Sequence, residues 1–418
     1  MDYTVQESCR ICNGKLKDVF SLGDIYPSGF VDKTKGKPIP LSLVECEDCH
    51  LVQEKYNIPL DNMYRTYFYQ SAINPSMVTS LQEIVTEIES TVEIKDDDIL
   101  VDIGCNDGTL FSLYKNQNTI KVGFDPALNL ADKAKCHCDF FINDYFQDNY
   151  PTTLGKAKVV TAIAMFYDLP FPNVFVENIS KILAEDGIFV IQLTDLASML
   201  KINAFDNICH EHLEYYKLDD IISLLYKFNL TVFRVSYNKV NGGSIRIFSS
   251  HLSSFPIEKN VGEALTKERI YLDSLEGSIH AFAYRINNIK RTVLEFLQRC
   301  QNGGIQVYGL GASTKGNTLL QYFGITKNLI RAIAEVNPDK FGKKTIGTEI
   351  PIASEEEIFN LYPDIYFVLP WHFIDNIINK NIKFLEDGGA LVVPLPEPGI
   401  YHLEQGRIIW TSLEKVLP

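Results

Sequence analysis

The chain has 418 residues, a length that suggests two or three domains rather than one. A composition of 46% hydrophobic, 22% charged and 11% aromatic residues is that of a folded globular protein and excludes a disordered chain. Lys+Arg 39 against Asp+Glu 53 leaves a net charge of −14, which makes nucleic acid and anionic membrane poor first choices of partner. The sequence has no apolar run of about eighteen residues, and its first ten residues lack the basic and apolar regions of a secretory leader. A cytoplasmic protein with no membrane segment is therefore expected. Nine cysteines, four of them in two close pairs, suit a reducing compartment with a metal site better than a disulfide framework.

Residues 1–72 are short strand-like pieces broken by Gly, Pro and Asp, and they hold all four paired cysteines. Helical spacing of apolar residues over 76–90 opens a new unit, followed by a charged turn and a buried strand over 96–104. Strand and helix then alternate through 121–127, 131–144, 157–165, 175–183 and 187–193, the rhythm of an open, mostly parallel sheet. A helix over 218–230 and strands over 231–238 and 244–252, the latter behind an Asn-Gly-Gly turn, complete the unit at about residue 255. Residues 256–300 read as a charged helical connector. A second α/β rhythm fills 301–418, with strand signals in 304–310, 330–337, 363–371 and 390–396. The expected fold class is α/β: a small four-cysteine zinc module, a Rossmann-like domain over 73–255, the connector and a second Rossmann-like domain.

Three motifs carry chemistry. Cys9-x-x-Cys12 and Cys46-x-x-Cys49 allow four thiolates to close a tetrahedron around Zn²⁺, and a closed four-thiolate site is structural because it leaves no position for water. Cys136-His137-Cys138 fits a helix-to-strand surface better than a metal. The run Asp102-Ile103-Gly104-Cys105-Asn106-Asp107-Gly108 places a buried strand before a glycine turn, and Asp125, about twenty residues on, stands where a carboxylate can hold both hydroxyls of a ribose. The run lacks both the Lys-Ser of a phosphate loop and a GxGxxG pattern. The third motif is Cys209-His210-Glu211-His212-Leu213-Glu214-Tyr215-Tyr216. Its density of titratable groups suits proton abstraction; a metal site and a solvated polar loop are the competing readings. In an extended backbone His210 and His212 would share one side, opposite Glu211.

The glycine turn and its acid resemble those of the class I S-adenosylmethionine (SAM) methyltransferases. Taken in order, the two Cys pairs, the glycine turn, the His-Glu-His run, the Asn-Gly-Gly strand and the turn Gly309–Asn317 resemble the sugar C-methyltransferases that act on nucleotide-linked keto-sugars. That resemblance spans essentially the whole chain. It implies zinc on Cys9, Cys12, Cys46 and Cys49, and SAM held around Asp102, Gly104, Asn106, Asp107, Asp125, Asn143 and Asp144. It makes His212 the general base, oriented by Glu211, with His210, Tyr215 or Tyr216 as donors to the developing oxyanion. It assigns Ser313, Lys315 and Asn317 to the nucleotide-sugar. As cations, Arg246 and Lys315 are candidate diphosphate partners, with an ordinary surface salt bridge the competing reading for each. The implied reaction is methylation at C3 of a nucleotide-linked 4-keto-6-deoxy sugar in branched deoxysugar biosynthesis, by a monomer or small homo-oligomer. Rival readings are a SAM-dependent O- or N-methyltransferase, a non-catalytic scaffold, and, for the C-terminal turn, a dinucleotide site with Glu335 as the ribose acid. Cys209, Asp168 and Ile73 depart from the family pattern, standing where relatives carry Tyr, His and Tyr.

Overall fold

The computed structural model describes residues 2–416. Its central sheet has seven strands in chain order 3-2-1-4-5-7-6, running from Phe140–Ile142 through Ile99–Ile103 to Leu230–Asn238. The first five are parallel, and Ser244–His251 runs antiparallel to both of its neighbours, Leu183–Leu193 and Leu230–Asn238. This is the Rossmann-like order with a reversed seventh strand that a class I methyltransferase domain requires. Ile99–Ile103 is buried along its whole length, which suits a parallel strand covered on both faces. The strand order reverses direction between Ile99–Ile103 and Ala157–Ile163, so the loops after these two strands diverge and open a crevice at their carboxyl ends.

The second sheet also has seven strands, in order 3-2-1-4-5-6-7, with five parallel strands from Ile352–Ser354 to Ala390–Val393 and an antiparallel pair at the edge, Gly399–Glu404 and Arg407–Ser412. The expected connector is two helices, Lys259–Leu272 and Ile279–Asn302, the second started by Ser278, whose side chain accepts from the amide of Ala281 at 3.2 Å. The second helix is more than a link. Phe282, Ile286, Val293 and Leu297 bury its apolar stripe in the core of the C-terminal sheet.

The N-terminal strands Leu16–Ile25, Ile39–Cys46 and Val52–Glu54 form an antiparallel sheet whose fourth strand is Glu214–Tyr215, from the far end of the His-Glu-His run. Phe30–Val31 pairs instead with Lys344–Thr345 of the C-terminal part. Leu41, Leu43 and Val52 pack into the core of the C-terminal sheet, while Cys46 and Leu51 pack into that of the central sheet. Ile39–Cys46 is thus covered on both faces by different parts of the chain. Arg10 bolts this joint. Its guanidinium donates to Gln53 Oε1 (3.2 Å), to the carbonyls of Glu54 (3.0 Å) and Leu213 (3.3 Å) and to Asn57, and lies 3.5 Å from the Glu214 carboxylate, both side chains being almost wholly buried. Among the described residues no helix is long and apolar enough to cross a membrane.

Breaking a buried pair by removing one partner costs about 3–5 kcal/mol, because the other charge and its acceptors stay behind without compensation. Arg10→Ala is expected to lower unfolding stability by that amount in urea titrations and to expose the amides of 213–215 to hydrogen exchange. An Arg10→Met, Glu214→Leu pair is expected to lose less than Arg10→Ala alone.

Candidate active site

The four paired cysteines meet as the spacing requires. Their sulfurs all lie within 4.8 Å of one another, with Sγ···Sγ separations of 3.4, 3.5 and 3.6 Å for three of the pairs. A tetrahedral zinc with bonds of about 2.3 Å sets its sulfurs about 3.8 Å apart, so the cluster is compatible with that ion. The two turns repeat each other. In both, the first Cys donates its amide to a carbonyl five residues on and accepts at its own carbonyl from the residue four on, Asn13 or His50, which takes a left-handed φ of 60°. The amides of Asp48 and Cys49 also point at Cys46 Sγ (3.4 and 3.5 Å), as befits a thiolate. None of the four lines the large cavity described next.

That cavity, of about 640 Å³, opens at the crevice of the central sheet. On one side the chain leaves Ile99–Ile103 through Gly104 (φ 74°), Asn106 (φ 55°) and Gly108 (φ 79°), and the turn curls back over the strand ends. Asp125 fixes it: one carboxylate oxygen accepts from the amide of Asn106 and the other from that of Ala127, both at 2.8 Å. Each oxygen keeps a lone pair for a ligand hydroxyl. Burial lifts this carboxyl to about 6 against the pull of those amides. Asp102 accepts from Thr161 Oγ1 at 2.6 Å, and burial raises it to about 7. Asp102, Gly104, Asn106, Asp125 and Asp144 line the cavity. Asp107 and Asn143 do not: Asp107 accepts from Thr109 and from the amide of Ala72, and Asn143 Nδ2 donates to the carbonyls of Asp125 and Ala127. Their part is to hold the turn.

A segment missed by motif reading crosses this turn. Asn106 accepts from the amide of Ser71 (3.0 Å) and donates to the carbonyl of Tyr69 (3.1 Å), Asn129 exchanges two 2.9 Å bonds with the backbone of Tyr67, and Arg65 pairs with Asp144 at 3.2 Å. This strap brings Tyr64, Tyr67 and Tyr69 into the cavity, while Ile73 stays largely exposed outside it. Three tyrosines in six residues were the available signal.

The opposite wall comes from the His-Glu-His run, from Tyr167 and Asp168, and from Lys315. Residues 209–212 form a turn closed by the amide of His212 on the carbonyl of Cys209 (3.1 Å), so the extended alternation does not hold, and Glu211 and His212 both face the cavity. His212 Nδ1 lies 2.7 Å from the carbonyl of Asn207. A carbonyl only accepts, so Nδ1 carries the hydrogen and Nε2 keeps its lone pair. Burial, helped by the charge of Lys315, lowers this imidazole to about 3 and keeps it neutral. Its orienting partner is thus a backbone oxygen rather than Glu211. Tyr64 donates to the carbonyl of Glu211 at 3.0 Å. Burial and the Glu211 carboxylate push Asp168 well above the usual carboxylate range. Asp168 Oδ1 and Glu211 Oε2 are buried with no hydrogen-bond partner among the described residues.

Several expected residues lie elsewhere. His210 is buried against the carbonyls of Ile39 and Pro40, Tyr215 is drawn into the N-terminal sheet, and Tyr216 packs on Phe166 with ring centroids 5.4 Å apart. None of the three lines the cavity, because pairing of Glu214–Tyr215 with Val52–Glu54 turns that stretch away. Arg246 is no diphosphate partner. Helix Pro75–Thr91 covers its strand, and the guanidinium, 1% exposed, is held by Glu87 and by Gln192 Oε1 at 2.9 Å. Ser313 caps the helix Thr314–Phe323, and Asn317 Nδ2 donates to the carbonyl of Gly29 at 3.2 Å, so both position the turn from which Lys315 enters the cavity. Glu335 accepts from the amides of Val336 and Asn337 at 2.8 and 2.9 Å and pairs with Lys340 at 3.4 Å.

Comparison with known proteins bears on the family of the chain. The family profile described as "C-methyltransferase C-terminal domain" matches residues 239–396, and that described as "Methyltransferase domain" matches residues 77–235. The C-methyltransferase NovU of Streptomyces niveus is 30% identical over 409 residues, 95% of this chain and 97% of that protein. Among solved structures, a SAM-dependent methyltransferase from Aquifex aeolicus overlaps 44% of this chain and 98% of its own at 15% identity and a TM-score of 0.34. The magnesium protoporphyrin IX methyltransferase of Synechocystis PCC 6803 with bound SAM overlaps 42% and 79% at 11% identity and a TM-score of 0.33.

A carboxyl accepts from hydroxyls more strongly when ionised, and Asp125 is the candidate partner for the ribose of SAM. With its raised value of about 6, SAM affinity is expected to be flat above that pH and to fall up to about tenfold per unit below it, as a proton must leave before the ligand enters. Calorimetry from about pH 5 to about pH 8 measures this, and Asp125→Asn is expected to bind weakly with no such slope.

Proposed function

The chain belongs to the SAM-dependent C-methyltransferase family, and on that premise we propose that it methylates C3 of a 4-keto-6-deoxyhexose carried on a nucleoside diphosphate, by way of an enolate. The observation that carries this reading is a single cavity in which the cofactor carboxylate Asp125 and the unprotonated Nε2 of His212 occur together. Methylation of a hydroxyl also profits from a base, but its oxygen already carries the lone pair that attacks. A carbon-bound hydrogen needs a base aimed at it and a carbonyl beside it to take the charge, and a buried imidazole locked in one tautomer meets the first demand.

SAM, when bound, supplies a methyl group on a positively charged sulfur, and Asp102, Gly104, Asn106, Asp125 and Asp144 are the residues that would hold it. His212 Nε2 removes the proton from C3, while the Asn207 carbonyl steadies the imidazolium that forms through Nδ1–H. Tyr64, Tyr67 and Tyr167, all pushed well above their usual values by burial, remain protonated; Tyr67 and Tyr167 bind sugar oxygens, while Tyr64 holds the carbonyl of Glu211. Asp168 and Glu211 take the remaining donors of the sugar. In this reading residues 1–72 carry a structural zinc, 73–255 bind SAM and sugar, 256–300 connect, and 301–418 hold the nucleotide, so that its binding energy fixes the reacting ring. The enzyme works in the cytoplasm on a small-molecule substrate.

The deciding experiment is mass spectrometry of a panel of nucleotide-linked 4-keto sugars incubated with protein and SAM; a gain of one methyl, located on C3 by NMR, is expected. A methyl on oxygen or nitrogen would refute the proposal. His212→Asn is expected to lower turnover by about 10²–10⁴-fold while SAM affinity measured by calorimetry stays nearly unchanged. Elemental analysis is expected to give one zinc per chain, and prolonged chelation to lower the melting temperature as the two cysteine turns lose their common centre.

A further inference from the structure

The enolate step asks for a second group, one that meets the negative charge arriving on the ketone oxygen. The cavity holds a candidate that the resemblance assigns to another task. Lys315 stands in the first turn of Thr314–Phe323 and lines the same cavity as His212, although the two belong to different sheets. Its neighbours are spent on placing it. Ser313 Oγ accepts from the amide of Gly316 at 2.9 Å, Ser28 Oγ donates to the carbonyl of Thr314 at 3.1 Å, and a Cβ on Gly316 would lie 2.8 Å from Ser313 Oγ and 3.0 Å from Leu369. The turn therefore has one allowed packing, and Lys315 is the residue it sends inward.

The surroundings of Lys315 are those of a catalytic cation. Asp206 is 1% exposed and fixed by Trp371 Nε1 at 2.8 Å, with no hydrogen-bond partner among the described residues for its second oxygen; burial raises its carboxyl and lowers Lys315, and the charge of each opposes the shift of the other. The same charge reaches the ring of His212. In a 4-keto sugar C3 and the C4 oxygen are only two bonds apart, so a group beside the base is also beside that oxygen. The diphosphate hangs from C1, across the ring from C4. Tyr64 is already committed to the carbonyl of Glu211, and Tyr167 presents its ring face to His212, the centroids 4.0 Å apart.

We propose, resting on the C3-methylation reading above, that Lys315 is a catalytic residue whose ammonium donates a hydrogen bond to the C4 oxygen as the enolate forms, and that it does not bind the diphosphate. As His212 Nε2 takes the C3 proton, the C–H electron pair becomes the C3–C4 double bond and the carbonyl pair moves onto oxygen, where Lys315 meets it. When the new C3–methyl bond forms and the methyl–sulfur bond breaks, the carbonyl re-forms, Lys315 keeps its protons and His212 is left protonated. A charged donor in a water-excluded site acts where charge develops rather than on the ground state, so its removal slows the step more than it weakens binding.

The test separates three measurements on the full-length protein: exchange of the C3 hydrogen in D₂O with SAM absent, affinity for thymidine and uridine diphosphates without sugar, and SAM affinity as the check on folding. Lys315→Met is expected to slow both exchange and kcat by about 100-fold or more, with nucleoside diphosphate and SAM affinities within about twofold of wild type, and Lys315→Arg to restore part of the rate. If Lys315→Met fails to bind SAM, Lys315→Gln replaces it under the same criteria. Unchanged exchange at saturating substrate would overturn the proposal, as would a loss of nucleoside diphosphate affinity of about tenfold or more that accounts for the whole defect. Wild-type protein that exchanges no C3 hydrogen in any 4-keto sugar is a separate outcome, refuting the substrate reading and this role with it.

Discussion

The N-terminal strands cannot make a core of their own, and the rest of the molecule is arranged around that shortage. A single sheet of three strands buries too little apolar surface to stand alone. Here Leu41 and Leu43 are handed to the C-terminal sheet, Cys46 and Leu51 to the central one, and Glu214–Tyr215 is borrowed as a fourth strand. The module acts as a wedge that sets the angle between two Rossmann-like sheets. Because its chain must then return to the central sheet, the strap with Tyr64, Tyr67 and Tyr69 passes over the glycine turn, where Asn106 and Asp107 catch it. The strap and the glycine turn share a wall of the cavity for this reason.

Inside the cavity burial selects neutral forms. The phenols of Tyr64, Tyr67 and Tyr167 are held protonated, Asp168 and Glu211 are pushed toward the acid form, and His212 is kept as free imidazole. The result is a set of mostly neutral polar groups around one basic nitrogen, in the cavity that Lys315 also lines. Cys209 and Asp168 stand where the family resemblance places a tyrosine and a histidine. With a strap tyrosine, Tyr64, near Asp168 and donating to the backbone of Glu211, a phenol and an acid still face each other, supplied from different segments.

What was legible in the sequence was what is local. The cysteine turns, the glycine turn and its distant acid follow from short spacings that backbone geometry enforces, and the two α/β rhythms follow from periodicity. Roles set by long-range packing were not legible. Nothing in the vicinity of Arg246 announces that Glu87, on a helix more than 150 residues earlier, will neutralise it. His210, Tyr215 and Tyr216 look as available as His212 until the borrowed strand pairing turns them away. The partner that orients His212 is a backbone carbonyl, and a carbonyl has no signature in a sequence. Lys315 was visible, but that it lines the same cavity as His212, about a hundred residues earlier in the chain, was not.

The pairing of Phe30–Val31 with Lys344–Thr345 also bears on how the chain is made. At synthesis rates of about 5–20 residues per second, the N-terminal strands leave the ribosome roughly 15 to 60 s before their last partner is translated. During that interval Leu41, Leu43 and Val52 have no surface to rest on, and the edge of Val52–Glu54 awaits the chain around Tyr215. A metal bound early by the cysteine turns would hold the nascent hairpin in register through the wait, giving the ion its greatest value before the enzyme is finished.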